Sequence, residues 1–264
     1  MLKYIFNILF AGYPPGSGGR VHIQEASIPD GERVYIIGDI HGRNDLLNEL
    51  LAVISKDSQN SPNIKKSLIY LGDYIDRGPN SKGVIDTILS TQLPNVTPIT
   101  LMGNHEQSML GFLNDPEANS DWLKFGGAET ILSYGVSIHP GTITAKILKE
   151  TSESLNRVLP DAHRQFLLNL KESYILGDYM FVHAGIDPKR SIKKQRVQDL
   201  LWIRADFIEH SELYEKVIVH GHTIVSKTEL YNNRIAIDTG AYYSGILTCL
   251  SIEGQERRIV QTIP

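Results

Sequence analysis

The chain has 264 residues, 41% hydrophobic and 21% charged, with a formal net charge of −4 at pH 7. That composition is ordinary for a globular protein with a sizeable core, and the acidic balance argues against a general nucleic-acid binder. The single cysteine excludes an internal disulfide and fits a reducing, cytoplasmic setting.

Residues 1–31 read as an N-terminal arm and linker, and residues 32–264 as one catalytic domain. The arm opens apolar, but Asn7 interrupts it and Pro14-Pro15-Gly16-Ser17-Gly18-Gly19 follows, a poor match to a secretion signal. No stretch reads as long enough to span a bilayer. A strand over 34–38 leads into a helix over 43–56, where Leu46, Leu47, Leu50, Leu51 and Ile54 share one face. A strand over 68–71 precedes helical spacing at Val84, Ile85, Ile88 and Leu89, and a strand over 96–102 precedes a helix beginning at Asn104 or His105. This alternation implies a mostly parallel sheet with helical cover.

Residues 107–172 read as a helical insertion, with helices over 122–134, 144–159 and 161–170. Such an insertion caps the mouth of a site or covers one face of the sheet. Strands over 174–177, 179–183, 216–220, 228–231, 234–237 and 245–252 suggest a second, more antiparallel sheet, with Asn232-Asn233 as a hairpin turn. The fold class is therefore α/β, with mixed sheets flanked by helices.

Five strands end in glycine-bearing polar turns. They are Gly38-Asp39-Ile40-His41-Gly42, Gly72-Asp73-Tyr74-Ile75-Asp76-Arg77-Gly78, Gly103-Asn104-His105-Glu106, His183-Ala184-Gly185 and His220-Gly221-His222. Carboxylates, an amide and imidazoles gathered at one sheet edge are the ligand set of a two-metal site. Asp39 and Asp73 repel when buried unless a cation lies between them. His41 points the same way as Asp39 if the segment is extended. Asn104, His183 and His222 supply further N and O ligands, and the lack of a thiolate suits manganese, with iron or zinc as alternatives.

Other residues read more plainly. His220 touches the site, supports it from beside or is packing, and His22, His139, His163 and His210 are surface residues. Cys249 is a buried strand residue, and the run from Lys189 to Arg196 is a solvated basic face or attracts acidic substrate flanks. Phe125-Gly126-Gly127 and Tyr242-Tyr243 line the mouth or pack in the core. Asp238 orients a ligand histidine or stabilises the turn at Gly240.

Taken in order, these motifs resemble the signatures of the PPP-family serine/threonine protein phosphatases, in the compact bacterial and phage-lambda-type branch. Gly221-His222-Thr223 and Ile237-Asp238-Thr239-Gly240-Ala241 add to the resemblance, which covers nearly all of the chain beyond residue 33. It implies a metallophosphoesterase-type β-sandwich with the helical insertion near the active-site mouth. It implies two divalent metal ions, one held by Asp39, His41 and a bridging Asp73, the other by Asp73, Asn104, His183 and His222. Arg77 and Arg204, with Asn104, would grip the phosphate, and His105, oriented by Asp76, would protonate the leaving oxygen. The implied reaction is in-line attack of a metal-bridging hydroxide on a phosphoprotein or phosphopeptide carrying phosphoserine or phosphothreonine, with phosphotyrosine open. A monomer is expected. Two alternatives stand beside it. A symmetrical diadenosine tetraphosphate hydrolase shares the metal core but departs from the pattern at Asp76 and Glu106. An inactive phosphatase-like binding module would have lost a ligand, and none is missing.

Overall fold

The protein is described as a computed structural model covering the backbone of residues 6–8 and all of residues 19–138 and 143–263. Two sheets face each other. The first contains β1 (Phe6–Ile8), β2 (Glu32–Ile37), β3 (Lys65–Tyr70) and β4 (Val96–Thr100), completed near the C-terminus by β10 (Thr248–Glu253) and β11 (Glu256–Gln261) in the order β1-β11-β10-β2-β3-β4. Strands β2, β3 and β4 run parallel, joined by the helices α1 (Asn44–Gln59) and α2 (Ser81–Ser90). A strand covered on both faces carries continuous apolar sequence. In β2, Val34 and Ile36 face the second sheet while Tyr35 and Ile37 face the helices.

The insertion folds as α3 (Asn104–Asn114), a 3₁₀ turn (Ser120–Phe125), α4 (Gly127–Ser133), α5 (Ala145–Val158) and α6 (Asp161–Leu168). Its residues Trp122, Ile131, Leu148, Leu155 and Leu167 join Leu68 and Tyr70 in one cluster, so the insertion covers the outer face of the first sheet. The helix expected over 122–134 is split. Gly126 adopts φ 103°, and its carbonyl accepts the Arg77 backbone N–H at 3.2 Å. Only glycine takes that φ without strain, and a Cβ there would collide with Arg77.

The second sheet has the order β5-β6-β7-β9-β8, from β5 (Ser173–Leu176), β6 (Tyr179–Val182), β7 (Val217–His220), β8 (Glu229–Leu230) and β9 (Arg234–Ala236). Its centre departs from the antiparallel expectation: β6, β7 and β9 are parallel, and only the edge strands are antiparallel. The connections explain this. The short helices α7 (Val197–Trp202) and α8 (Ala205–Ile208) lie within a crossover between β6 and β7, long enough to return the chain in the same direction. Strand β10, expected in this sheet, instead pairs antiparallel with β2 in the first. The Asn232-Asn233 turn does join β8 to β9, with Tyr231 N–H bonded to the Arg234 carbonyl.

Between the sheets lie Val34, Ile36, Ile69, Leu71, Phe181, Val219, Ile235 and Ile237. This shared core sets the distance between the strand ends of the two sheets. Phe181→Ala should cost about 3–5 kcal/mol by opening a cavity there. Urea denaturation would measure that loss, and divalent-ion affinity should fall with it.

Candidate metal centre

Six parallel strands contribute their carboxyl ends to one place. Asp39 follows β2, Asp73 follows β3, Asn104 opens α3 just after β4, His183 follows β6, His222 follows β7 and Asp238 follows β9. All six are buried. In open α/β sheets this is where ligands bind. The loops are strained. Five of the six non-glycine residues with positive φ among the described residues are His41 (46°), Asp73 (50°), Asp76 (73°), Arg77 (66°) and His222 (60°). His41 is therefore not on an extended segment as expected. The chain turns left-handed at it, and that turn carries its ring back toward Asp73. Such conformations cost of order 1–3 kcal/mol each and persist only where surrounding structure enforces them.

Asp73 sits at the centre. One of its carboxylate oxygens lies 3.5 Å from His41 Nε2 and the other 3.4 Å from His183 Nε2. His41 Nδ1 lies 2.8 Å from the Ile75 carbonyl and His183 Nδ1 3.0 Å from the Leu71 carbonyl. A carbonyl can only accept, so each ring keeps its proton on Nδ1 and turns an Nε2 lone pair toward the carboxylate. Asn104 Oδ1 meets the same His183 Nε2 at 2.9 Å. Lone pairs thus face lone pairs, with no proton between them.

Two clusters of possible ligand atoms share Asp73: His41, Asp73 and His105, and Asp73, His183 and His222. Within each, the atoms lie within 4.8 Å of one another. His222 Nε2 and Asp39 Oδ1 are buried without a hydrogen-bond partner. Asp39 stands outside both clusters; its Oδ2 accepts the His222 N–H at 3.0 Å.

The electrostatics agree with the geometry. Burial, then the Asp238 and Asp73 charges, push the Asp39 carboxyl well above its usual range. Burial pushes His41 down to about 3 and, with help from His183, His222 to about 2, so both rings are neutral. Neutral imidazoles and crowded carboxylates without thiolate are the donor set of a hard or borderline divalent cation. These residues fit a pair of such ions.

A sequence profile described as calcineurin-like phosphoesterase matches residues 32–243. The chain belongs to that family. Calcineurin-like phosphoesterases use a dinuclear metal centre, and the fold of this member is the α/β metallophosphoesterase fold. It is 29% identical over 240 residues to an asymmetrical bis(5′-nucleosyl)-tetraphosphatase of Anoxybacillus flavithermus, covering 81% of this chain and 88% of that protein. It is 28% identical over 228 residues to serine/threonine-protein phosphatase 2 of Salmonella typhimurium, covering 83% and 93%. A solved structure described as a putative diadenosine tetraphosphatase superposes with a TM-score of 0.58 at 18% identity, over 90% of this chain and 99% of that one.

Around this phosphoesterase centre the remaining residues divide into those that touch it and those that do not. Arg77 donates to His41 Nε2 and to His105 Nε2, both at 3.2 Å. His105 Nδ1 lies 2.6 Å from Asp76 Oδ2. Asp76 also accepts from Trp122 Nε1 at 2.8 Å and from the Thr130 hydroxyl at 2.6 Å, so the insertion clamps it. Burial opposes charge on His105, but Asp73 and Asp76 outweigh it and raise its pKa. Arg204 stands at the exposed edge, its Nη1 3.5 Å from the His222 carbonyl. Tyr242 lines the mouth, its ring centre 4.9 Å from the Arg77 guanidinium. Phe125 and Tyr243 are exposed, not core residues. Asp238 accepts the Gly240 N–H at 2.9 Å, the turn-stabilising role, and its charge also bears on Asp39.

His163 corrects the surface expectation. It is buried between Tyr134 OH at 2.8 Å and Asp86 at 2.9 Å, tying α6 to α2 and the end of α4. His22 and His210 are half-buried, the latter stacked on Tyr214, and His139 lies outside the described residues. His220 packs edge-on against Phe207 and is in neither cluster. In the basic run, Lys189, Lys193, Lys194 and Arg196 are exposed.

Sequence reasoning missed the clamps. Trp122 and Thr130 carried no motif signal, and Glu106 stood only as part of a pattern. Glu106 is fully buried, and its two oxygens accept the backbone N–H groups of Asp73, Tyr74, Ile75 and Gly103 at 2.8–3.3 Å. Its four-donor cradle demands an acceptor-only carboxylate, although burial and then the Asp73 charge push its pKa up to about 8. Gly221 shows a different constraint: a Cβ there would run into the Asp39 carboxylate.

Two outcomes are expected. Glu106→Gln turns an NH₂ donor on backbone donors, and each buried amide left unpaired costs about 1–3 kcal/mol. Thermal denaturation should show that loss together with weakened metal binding. Separately, manganese added to chelator-treated protein at about a hundred times its dissociation constant should stabilise it by about 2.7 kcal/mol. Asp73→Asn should abolish that shift.

Proposed function

We propose that this chain is a metal-dependent protein phosphatase of the serine/threonine type, hydrolysing phosphomonoesters on side chains. Asp39, His41 and Asp73 would hold one ion, and Asp73, Asn104, His183 and His222 the other. The pair would supply Lewis-acid charge to the phosphoryl oxygens and an activated water for in-line attack. Manganese, iron or zinc suits this donor set.

The observation that carries the reading is the His105–Asp76 pair beside Arg77. A serine or threonine alkoxide is a strongly basic leaving group and needs a proton as it departs. His105 is a suitable source: Asp76 holds its Nδ1, leaving Nε2 to face the site. Arg77 now donates to that Nε2, so substrate phosphate must draw the guanidinium away before the ring can carry the transferable proton. Its planar fork matches a phosphate better than an imidazole. Arg204, in the crossover between β6 and β7, would close on the phosphate from the second sheet's side. The likeness to the Salmonella phosphatase supports the same reading.

A second reading has its own support. The likeness to the Anoxybacillus tetraphosphatase points to dinucleoside polyphosphate cleavage at the same centre. There the leaving group is itself a phosphate, weakly basic, and an imidazolium donor gains little. Turnover of phosphoserine, phosphothreonine and phosphotyrosine peptides against diadenosine tetraphosphate, all with manganese, decides between them. Faster cleavage of the tetraphosphate would overturn the phosphatase reading. His105→Asn should keep metal affinity and lose about 10²–10⁴-fold in kcat on alkyl phosphates. The loss on p-nitrophenyl phosphate should be much smaller, because nitrophenolate leaves without help.

A further inference from the structure

Beside the metal centre lies an open cleft of about 670 Å³, lined by Gly42, Arg43, Asn44, Asp45, Asn48, Pro79, Asn80 and Tyr242. It shares a wall with the phosphate anchor. Gly42 follows the ligand candidate His41, and the Tyr242 ring faces both His41, at 5.5 Å, and Arg77. Anything bonded to a phosphate held by Arg77 can continue past Tyr242 into this space.

The chemistry of the lining is neutral. Arg43 is bound through Nε and Nη2 to the two Asp45 oxygens at 2.9 and 2.7 Å, and its Nη1 donates to the Ala241 carbonyl at 2.9 Å. The cleft's one cation is thus already matched by its one anion. Three carboxamides remain, and each is pinned at one end only. Asn44 Oδ1 accepts from the Thr87 hydroxyl, Asn80 Oδ1 accepts the Gly83 N–H, and Asn48 Nδ2 donates to the Asn44 carbonyl. That leaves the Nδ2 donors of Asn44 and Asn80 and the Oδ1 acceptor of Asn48. Pinning removes much of the rotamer freedom that a polar side chain would otherwise lose on binding.

We propose that this cleft binds the main chain of the substrate polypeptide next to its phosphorylated residue. The inference rests on the phosphatase reading above. Two amide donors and one acceptor on a neutral wall match the N–H and C=O groups of an extended backbone. At about 3.3 Å per residue, such a backbone needs only a few residues to run its length. A polyphosphate chain is a poor fit, since its repeated negative charges would meet no unpaired cation here. Recognition through the main chain predicts tolerance of flanking sequence, with peptide length mattering more than side-chain identity.

The test uses manganese-loaded full-length protein and two probes, p-nitrophenyl phosphate and a phosphoserine octapeptide. Asn48→Trp, on the exposed face of α1, removes the acceptor and fills the cleft. The ratio of kcat/KM for the peptide to that for the aryl phosphate should fall about tenfold, the scale of a lost hydrogen bond. On the wild-type protein, N-methylation of the peptide amides flanking phosphoserine should lower the same ratio, while alanine at those positions should leave it intact. An unchanged ratio in both experiments overturns the inference alone. So does dependence on flanking side chains instead of amides, or an Asn48→Trp loss confined to diadenosine tetraphosphate, which would make the cleft a nucleoside site. A wild-type protein that cleaves no phosphopeptide sinks the phosphatase reading and this inference with it.

Discussion

The centre is dominated by unbalanced buried charge. Asp39, Asp73 and Asp238 lie together away from water, the His41 and His183 Nε2 atoms that face Asp73 carry lone pairs and no protons, and His222 is neutral. Two unpaired buried carboxylates are among the costliest arrangements a fold can hold. The Arg77 charge reaches Asp39 and Asp238, but its guanidinium is engaged with His41 and His105. Divalent ions change the sign of the balance: the same oxygens and nitrogens that repel one another become a preformed ligand shell. Much of what surrounds the centre makes sense as the means of holding that shell in place without the ions.

Two devices do the holding. One is a set of left-handed turns at His41, Asp73, Asp76, Arg77 and His222, which aim the loops that carry the site. The other is Glu106, which gathers the amides of the Asp73 turn and of Gly103 onto one carboxylate. The two act on the same loops. Four hydrogen bonds to a charged acceptor, each stronger than a neutral one, offset strain of a few kcal/mol over that turn. The shared core between the sheets does the rest, because Asp73 belongs to one sheet while His183 and His222 belong to the other.

Much of this was legible in the sequence, for a physical reason. Buried parallel strands are short apolar runs, and the glycines and polar residues that follow mark the strand ends where ligands gather. The motif residues from Asp39 to His222 are therefore recognisable in the sequence alone. Pairing was harder to read. Strand β10 alternates like any half-buried strand, and nothing local says that it closes the first sheet instead of the second. The left-handed turn at His41 was hidden because non-glycine residues seldom adopt it, and only tertiary contacts enforce it. The clamps on Asp76 were hidden for another reason. Trp122 and Thr130 lie 46 and 54 residues away in helices whose periodicity reports only their core face.

The insertion is thus more than cover for a sheet. Its apolar residues complete a core, while its 3₁₀ turn and α4 hold Asp76 through an indole and a hydroxyl, and its Gly126 carbonyl fixes the Arg77 backbone. Asp76 and Arg77 are therefore both held by the insertion, whereas Asp39, Asp73, His183 and His222 are set by strand ends. If the insertion moves away by about an ångström, the indole and hydroxyl donors leave hydrogen-bonding range of Asp76 while the strand-end metal ligands can stay in place. Catalysis of difficult alkyl esters should then fail before metal binding does, and easy aryl esters should survive longest.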